Sequence, residues 1–434
     1  MPLPTNPRPW LFYRLGLTRE KEFFKRHRDT YDGVVIPAHI ASYYHKFCAE
    51  FVGSLGKPYF IDPMTYIFAN DPLQLKRFVK DKDTGRTERD ALGRKRKGDV
   101  RRSYSKLIEH DYGGVVKTAA EDGRRLVPGD LTDADDLDDL VQKVLEFEAT
   151  RLAAIPDKYR KYEEYAKKAG RPVGALSIPP MCLVPPYFPT TTLLPRGWHS
   201  TNLRLVQRAK TMAGGLPVFA MILANPQILA QDARRIGEDY AAVGADGFLL
   251  WPDGFGSDQD PTALQVVFDS VTELSKGGRP VMLMYGGAFS LALHYAGLTG
   301  FACGICYGER KLSTQDMDVE GVVLPRYYIR RLKRKVIIET EARRIQIAQD
   351  PNLVCDCVIC RRKPEPADQD DTESREHFML VRAAEIAELR AGLSQADFAA
   401  ALDDAFQRYC DDPLLQPIGH LRNWAALLSG ASSP

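Results

Sequence analysis

The sequence lacks the features that mark membrane and secreted proteins. No apolar run is long enough to cross a bilayer, and residues 1–9 do not show the basic-then-apolar profile of a secretory signal. The chain also lacks an excess of charge of one sign, since its 434 residues carry a formal net charge of only +2. Any contact with nucleic acid must therefore come from local basic patches. These absences predict a cytoplasmic protein with no membrane partner.

Nucleotide-binding glycine motifs are also missing. No GxGxxG or Walker pattern follows the first predicted strand, and such a pattern would be expected if the chain were a doubly wound, nucleotide-binding open sheet. That fold stays the alternative to the one predicted below.

Cysteines are present, and three of the eight are clustered. Cys355, Cys357 and Cys360 follow the order C-x-C-x-x-C, which lets three thiolates converge on one ion. A soft tetrahedral metal takes sulfur and imidazole ligands, so a histidine is expected nearby. His377 is the nearest downstream candidate, and His420 is the alternative. We predict a closed, structural Zn²⁺ site; buried thiols or a disulfide are the other interpretation.

Apolar runs of strand length alternate with helical periodicity before this cluster. Eight such runs predict a (β/α)8 TIM-type barrel. We expect the barrel in residues 1–310, with a long charged insertion at about 71–172, and a zinc-binding, helical C-terminal subdomain in 311–434. The fourth run is interrupted by prolines. The runs are residues 10–13, 33–39, 57–62, 175–184, 217–223, 246–251, 280–285 and 300–306.

The cysteine motif, together with the predicted barrel, resembles the tRNA-guanine transglycosylase family over about Trp10–Ile386. The zinc motif is the specific part of the resemblance. Ile61–Phe68, Phe219–Leu223 and Gly244–Phe248 resemble, in order, the family's base-contacting aspartate segment, its base-recognition strand and its Gly-x-Asp-Gly-Tyr stretch. The resemblance implies a barrel with a zinc subdomain. It also implies exchange of a guanine-type base for a 7-deazaguanine in tRNA or, in one branch, in DNA.

Two positions depart from the family pattern. The family's glutamine on the fifth strand corresponds to Leu223, and its nucleophilic aspartate on the eighth strand falls near Gly304. The DNA-modifying branch keeps two aspartates, and this chain matches one of them, at Asp62. Either another residue has taken over the nucleophilic role or base exchange has been lost.

Base exchange needs a carboxylate that attacks C1′ and an acid–base group near the leaving base. Barrel sites lie at the C-terminal ends of strands, so Asp62 and Asp253 are the candidate catalytic residues. Their structural alternatives are a capping aspartate and an Asp-Gly turn. The candidate substrate-binding residues are His39, Tyr66, Phe219, Cys303 and Cys306. Their structural alternative is packing at the barrel rim or, for the two cysteines, burial as small apolar side chains.

A basic segment precedes the cysteine cluster and interleaves tyrosines that could stack on bases. Its alternative is a solvated charged face. The candidate nucleic-acid-binding residues are Arg326, Arg330, Arg331, Lys333 and Arg334. Two functions are therefore carried forward: a transglycosylase acting on tRNA or DNA, and a non-catalytic, zinc-braced nucleic-acid-binding subunit of a modification or defence complex. A homodimer or larger complex fits both, whereas an unrelated barrel enzyme would act on small molecules.

Overall fold

The described part of the chain forms an α/β fold around a curled parallel sheet of seven strands. The computed structural model describes residues 3–16, 20–79, 87–91, 96–153, 164, 168, 178–305, 309–314 and 324–430. In chain order the strands are β1 Trp10–Arg14, β2 Gly33–Pro37, β3 Tyr59–Asp62, β4 Lys76–Phe78, β5 Lys97–Val100, β6 Phe219–Ala224, β7 Gly247–Pro252, β8 Val281–Leu283, β9 Gly300–Cys303, β10 Arg326–Ile329 and β11 Arg334–Ile337. The parallel sheet has the strand order β3-β2-β1-β9-β8-β7-β6.

Helices follow most strands of the parallel sheet, as the alternating pattern predicts. In the part of the chain that the structure describes, no helix is both long and apolar enough to cross a membrane. The α-helices are Glu20–Arg26, Ala38–Tyr43, His45–Leu55, Arg102–Lys106, Gly114–Glu121, Ala134–Thr150, Trp198–Met212, Pro226–Ala242, Pro261–Ser275, Ser290–Leu293, Arg343–Ile345, Val358–Arg362, Asp371–Arg390, Gln395–Tyr409 and Gly419–Ser429.

Seven of the eight predicted strands are present, and the fourth is not a strand within residues 178–184. The segment Met181–Thr190 instead makes separate backbone contacts with both edges of the sheet, without a continuous ladder. The Met181 N–H donates to the Tyr59 carbonyl of β3 at 2.8 Å, and Thr190 bridges to Ala224 of β6. Prolines lack the N–H that a ladder needs, so they prevent a regular strand here. The prolines of this segment and its approach are Pro179, Pro180, Pro185, Pro186 and Pro189.

Each strand of the parallel sheet is buried along its whole length, as expected for a sheet covered on both faces. Close packing of the sheet depends on a glycine at the start of β7. A Cβ added at Gly247 would lie 2.6 Å from the Phe219 ring. Phe219 is the first residue of β6. It therefore lies at the amino ends of the strands, opposite to the end where barrel sites lie.

The insertion between β3 and the irregular segment packs against the sheet. Its β4 and β5 form an antiparallel pair, and the helix Ala134–Thr150 carries the fully buried Glu148. Glu148 Oε2 accepts the Val184 N–H at 2.8 Å. The insertion thus supplies a hydrogen-bond acceptor to the Val184 N–H, which lies in a segment that forms no regular strand ladder.

The C-terminal part shares one hydrophobic core with the sheet. The ring of Phe378, on the helix Asp371–Arg390, lies 6.5 Å from the Tyr13 ring of β1. Trp424 Nε1 donates to the Ser257 carbonyl at 3.1 Å. The predicted domain boundary near residue 310 stays a prediction.

Candidate metal centre and strand-end site

The predicted metal ligands come together in three dimensions. The ligand atoms of Cys355, Cys357, Cys360 and His377 all lie within 4.8 Å of one another. His377 Nδ1 lies 3.4 Å from Cys357 Sγ and 3.3 Å from Cys360 Sγ. Tetrahedral zinc with ordinary Zn–S and Zn–N bonds would separate such atoms by about 3.5 Å. The cluster therefore fits a metal ion, and the sequence prediction of these four residues is confirmed at that level.

Neighbouring groups orient the cluster. His377 Nε2 lies 2.8 Å from the Tyr328 carbonyl, which places the proton on Nε2 and leaves the Nδ1 lone pair facing the sulfurs. The Tyr327 ring stacks on the imidazole at 4.1 Å. Hydrogen bonding to Cys355 and Cys360 holds the pKa of Cys357 well below its usual value. The Nε2 contact and the lowered pKa of Cys357 suit a ligand set of thiolate and imidazole Nδ1, the forms that bind a metal ion.

His420, the alternative fourth ligand, is engaged elsewhere. Its Nε2 lies 3.0 Å from the Leu332 carbonyl, and its ring packs edge-on against Trp424 at 5.2 Å. Among the described residues, His377 is the histidine of the metal cluster.

A second group of polar residues lies at the C-terminal end of β3. Asp62 is fully buried and accepts three hydrogen bonds, from Arg14 Nη1 at 3.0 Å, Tyr187 Oη at 2.7 Å and the Met64 N–H at 3.1 Å. Burial disfavours the charged guanidinium, but Tyr285 and Asp62 outweigh burial and raise the pKa of Arg14. Asp62 thus lies where the sequence places it, already bound to the protein's own donors.

Aromatic rings surround an amine beside this pair. The Trp251 ring lies 4.8 Å from Tyr66 and 4.6 Å from Tyr285. Lys311 Nζ lies between 5.1 and 5.4 Å from the centroids of these three rings and donates to Tyr285 Oη at 3.1 Å. Tyr66, a predicted site residue, therefore belongs to an aromatic cage around a lysine.

Sequence reasoning missed Arg14, Tyr187 and Lys311. Arg14 follows an apolar run directly, just as Asp62 does, so the same rule could have found it. Tyr187 and Lys311 lie in irregular segments, and no local pattern indicates that they reach the strand ends.

His39 also lies at the strand ends, in the helix that follows β2. Its Nδ1 is 3.2 Å from Met64 Sδ, and its ring packs 5.0 Å from Tyr104. Burial, together with Lys311, Arg14 and Arg101, lowers the pKa of His39 to about 3. The imidazole is therefore neutral at physiological pH.

Asp253 lines a cavity of about 370 Å³ at the C-terminal ends of β6 and β7. Its carboxylate accepts from the Ser313 N–H at 2.6 Å and from Ser313 Oγ at 2.7 Å, so it anchors a crossing segment rather than only capping a turn. Trp198 forms an aromatic wall, stacked on Phe188 at 4.1 Å. Other lining residues are Asn70, Arg125, Thr190, Leu223, Asn225 and Thr314.

Two predicted substrate-binding residues lie outside this site. Phe219 is at the opposite end of its strand, as described above. Cys303 ends β9 in register with Tyr13, so its thiol faces the helical layer with Tyr13 rather than the site that contains Arg14. Burial raises the pKa of Cys303 to about 12. Cys306 lies outside the described residues.

The basic segment forms β10, β11 and their turn, and much of its charge is paired. Lys333 Nζ binds Glu385 at 2.7 Å, and Arg334 donates to the Leu415 carbonyl at 2.8 Å. The side chains of Arg330 and Arg331 are more exposed, at 33% and 34%, against 12% and 16% for Lys333 and Arg334. Arg330 pairs with Glu388 and Arg331 with Asp404; Arg326 is exposed at the start of β10.

The tyrosines of this segment face inward. Tyr327 is buried against His377, and Tyr328 is buried with its hydroxyl 3.1 Å from Glu385. The expectation that they stack on bases is therefore wrong, because both rings belong to the core between the hairpin and the helix Asp371–Arg390.

Comparisons with known proteins add little to this geometry. No protein-family model matches the chain, and no curated protein matches it. A crystal structure of a candidate lyase/mutase from Burkholderia cenocepacia J2315 aligns with 70% of this chain and 78% of that chain, at 12% identity and a TM-score of 0.31. A likeness at this level carries no argument about function.

Proposed function

We propose that this chain is a transglycosylase-type protein that binds a guanine-type or 7-deazaguanine base of tRNA or DNA at the carboxyl ends of its parallel strands. The cavity of about 370 Å³ carries the proposal, because its volume suits a small ligand. Trp198 offers a stacking surface, and Asn70, Thr190 and Asn225 offer polar edges. Nucleobases are recognised by this combination of stacking and edge hydrogen bonds.

The proposal includes a closed barrel and a zinc ion. Met181–Thr190 contacts both edge strands, so it would be the eighth wall of a (β/α)8 barrel. Zn²⁺ would be held by Cys355, Cys357, Cys360 and His377. With four protein ligands it would brace the C-terminal part and take no role in the chemistry.

Asp253 and Asp62 have different roles in this proposal. Asp253 lines the cavity and is the candidate nucleophile, which Ser313 would release when substrate enters. Asp62 does not line the cavity, and we assign it to positioning Arg14 and Tyr187.

The alternative is a non-catalytic nucleic-acid-binding subunit of a modification or defence complex. One observation favours it: the described end of β9 carries Cys303, Gly304 and Ile305 instead of a carboxylate. Base binding without exchange is the outcome that would identify this alternative.

Calorimetry with guanine and with 7-deazaguanine tests the proposal. Trp198→Ala should weaken binding by about 1–3 kcal/mol because it removes the stacking surface. Leu223→Gln places an amide in the cavity wall and should strengthen binding about two- to tenfold, as one hydrogen bond does. Leu194→Gln is the matched control, because Leu194 is 64% exposed and does not line the cavity. Absence of base binding in the wild type would refute the proposal.

Base exchange is measured separately, as release of labelled guanine from tRNA or from duplex DNA. Exchange that disappears in Asp253→Asn, with base affinity unchanged, supports the enzyme. Base binding without any release supports the non-catalytic subunit.

A further inference from the structure

Lys311 is held at the strand ends by both its backbone and its amine. Its carbonyl accepts from the Gly254 N–H at 3.0 Å and from Trp251 Nε1 at 3.2 Å. Its Nζ donates to Tyr285 Oη at 3.1 Å and lies 5.2 Å from the Tyr66 ring. Part of the residue is exposed, whereas the amine itself is buried among these aromatic side chains.

A second cation lies on the same tyrosine. The Arg14 guanidinium stacks on the Tyr285 ring at 4.3 Å, and a lysine beside another cation loses its proton more readily. Burial and Arg14 lower the pKa of Lys311 to about 7, although Asp62 and Asp253 oppose the shift. The other titratable groups around the amine are His39, which is neutral, and the hydroxyls of Tyr66 and Tyr285, whose pKa values are raised by burial.

These features differ from those of a purely structural lysine. An aromatic cage by itself favours the charged ammonium, whereas this environment shifts Lys311 toward the neutral amine. In addition, Tyr66 Oη is buried and has no hydrogen-bond partner among the described residues. A buried hydroxyl without a partner is costly, and an oxygen of a bound ligand would satisfy it.

We propose that Lys311 is a nucleophilic amine that forms an imine with an aldehyde. The neutral Nζ attacks the carbonyl carbon, the C–N bond forms, and the carbonyl oxygen takes up a proton to give a carbinolamine. Loss of water then breaks the C–O bond, so amine and aldehyde become imine and water. Tyr285 Oη, in contact with Nζ, is placed to exchange the protons.

The substrate class rests on the proposed function. If the protein acts on nucleosides, the aldehyde is the ring-opened C1′ of a sugar that has lost its base. The amine would capture this aldehyde after the base has left, a step separate from the attack on C1′ that is assigned to Asp253.

Reductive trapping on the full-length protein tests the amine. The protein is incubated with glycolaldehyde and sodium cyanoborohydride between about pH 6 and pH 9, and labelling is followed by peptide mapping. We expect Lys311 to be labelled at least about tenfold faster than Lys276 at neutral pH, with a half-maximal rate near pH 7, where its pKa lies. Lys276 is the matched control because its side chain is 62% exposed. Equal or slower labelling of Lys311 overturns the proposal.

Variants and a second probe separate this inference from the proposed function. Lys311→Arg keeps the charge and should lose the fast labelling, while Tyr285→Phe should slow it. An oligonucleotide with one abasic site replaces glycolaldehyde in the second arm. Labelling of Lys311 by glycolaldehyde but not by the oligonucleotide supports the amine and counts against a nucleic-acid substrate. Base binding in the cavity with an unreactive Lys311 overturns the inference and leaves the proposed function intact.

Discussion

The imidazole of His377 is clamped between two neighbours on one hairpin: its Nε2 lies 2.8 Å from the Tyr328 carbonyl, and its ring stacks on Tyr327 at 4.1 Å. These contacts hold Nδ1 toward the sulfurs of Cys357 and Cys360. The histidine ligand is therefore oriented by the hairpin before any metal arrives, as is usual for histidine ligands with a second hydrogen bond.

The first prediction is one zinc per chain. Metal analysis of purified protein should give about one equivalent of Zn²⁺, as a single four-ligand site requires. Cys357→Ser and His377→Ala should each lose most of it. Both variants should also unfold at lower temperature, because metal binding is coupled to local folding.

His420→Ala is the control for the histidine. His420 bonds the Leu332 carbonyl instead of the cysteine cluster, so its removal should leave the zinc content unchanged. Equal zinc in wild type and Cys357→Ser, or loss of zinc in His420→Ala, would contradict this assignment.

The sequence predicts those features of the site that neighbouring residues encode, and it does not predict contacts between residues far apart in the chain. The cysteine spacing and seven of the strands are local patterns, and both are found in the structure. The role of Asp62 was not predictable, because its partners Arg14 and Tyr187 are 48 and 125 residues away in sequence. Likewise the tyrosines Tyr327 and Tyr328 look exposed in a basic segment, but the hairpin turns both toward the core.

The second prediction concerns the buried pair Arg14 and Asp62. Asp62→Leu leaves Arg14 without its carboxylate, and breaking a buried ion pair costs about 3–5 kcal/mol. The double variant Arg14→Leu, Asp62→Leu should be less destabilised than the sum of the single variants. Urea denaturation of the wild type, both single variants and the double variant measures this coupling. Additive effects would show that the pair, at 3.0 Å, is energetically independent.

The third prediction separates surface charge from structural charge in the basic segment. Arg330→Gln with Arg331→Gln should weaken binding to tRNA or duplex DNA. The slope of log affinity against log salt should fall by about 1 for each phosphate that the variant no longer binds. Lys333→Gln with Arg334→Gln should mainly lower stability, since Lys333 neutralises the buried Glu385. If the Arg330→Gln, Arg331→Gln variant binds as tightly as the wild type across a salt series, this surface does not bind phosphate.

The last prediction uses Glu148, the buried acid that bonds the Val184 N–H. Burial raises its pKa well above the usual value; the Val184 hydrogen bond opposes the shift, and Asp62 adds to it. The folded protein therefore keeps this proton at a pH where the unfolded chain has lost it. The resulting stability is complete below the unfolded pKa and is lost as pH rises through the folded pKa.

Glu148→Gln keeps the shape and removes the titration, so the free energy of unfolding should fall less between about pH 5 and pH 8.5 than in the wild type. Urea denaturation followed by circular dichroism at several pH values measures it. Glu146→Gln, an exposed position on the same helix, should follow the wild-type pH dependence. If Glu148→Gln and Glu146→Gln have the same pH dependence, then Glu148 is ionised in the folded protein and the irregular segment Met181–Thr190 is held by a charged rather than a neutral acid.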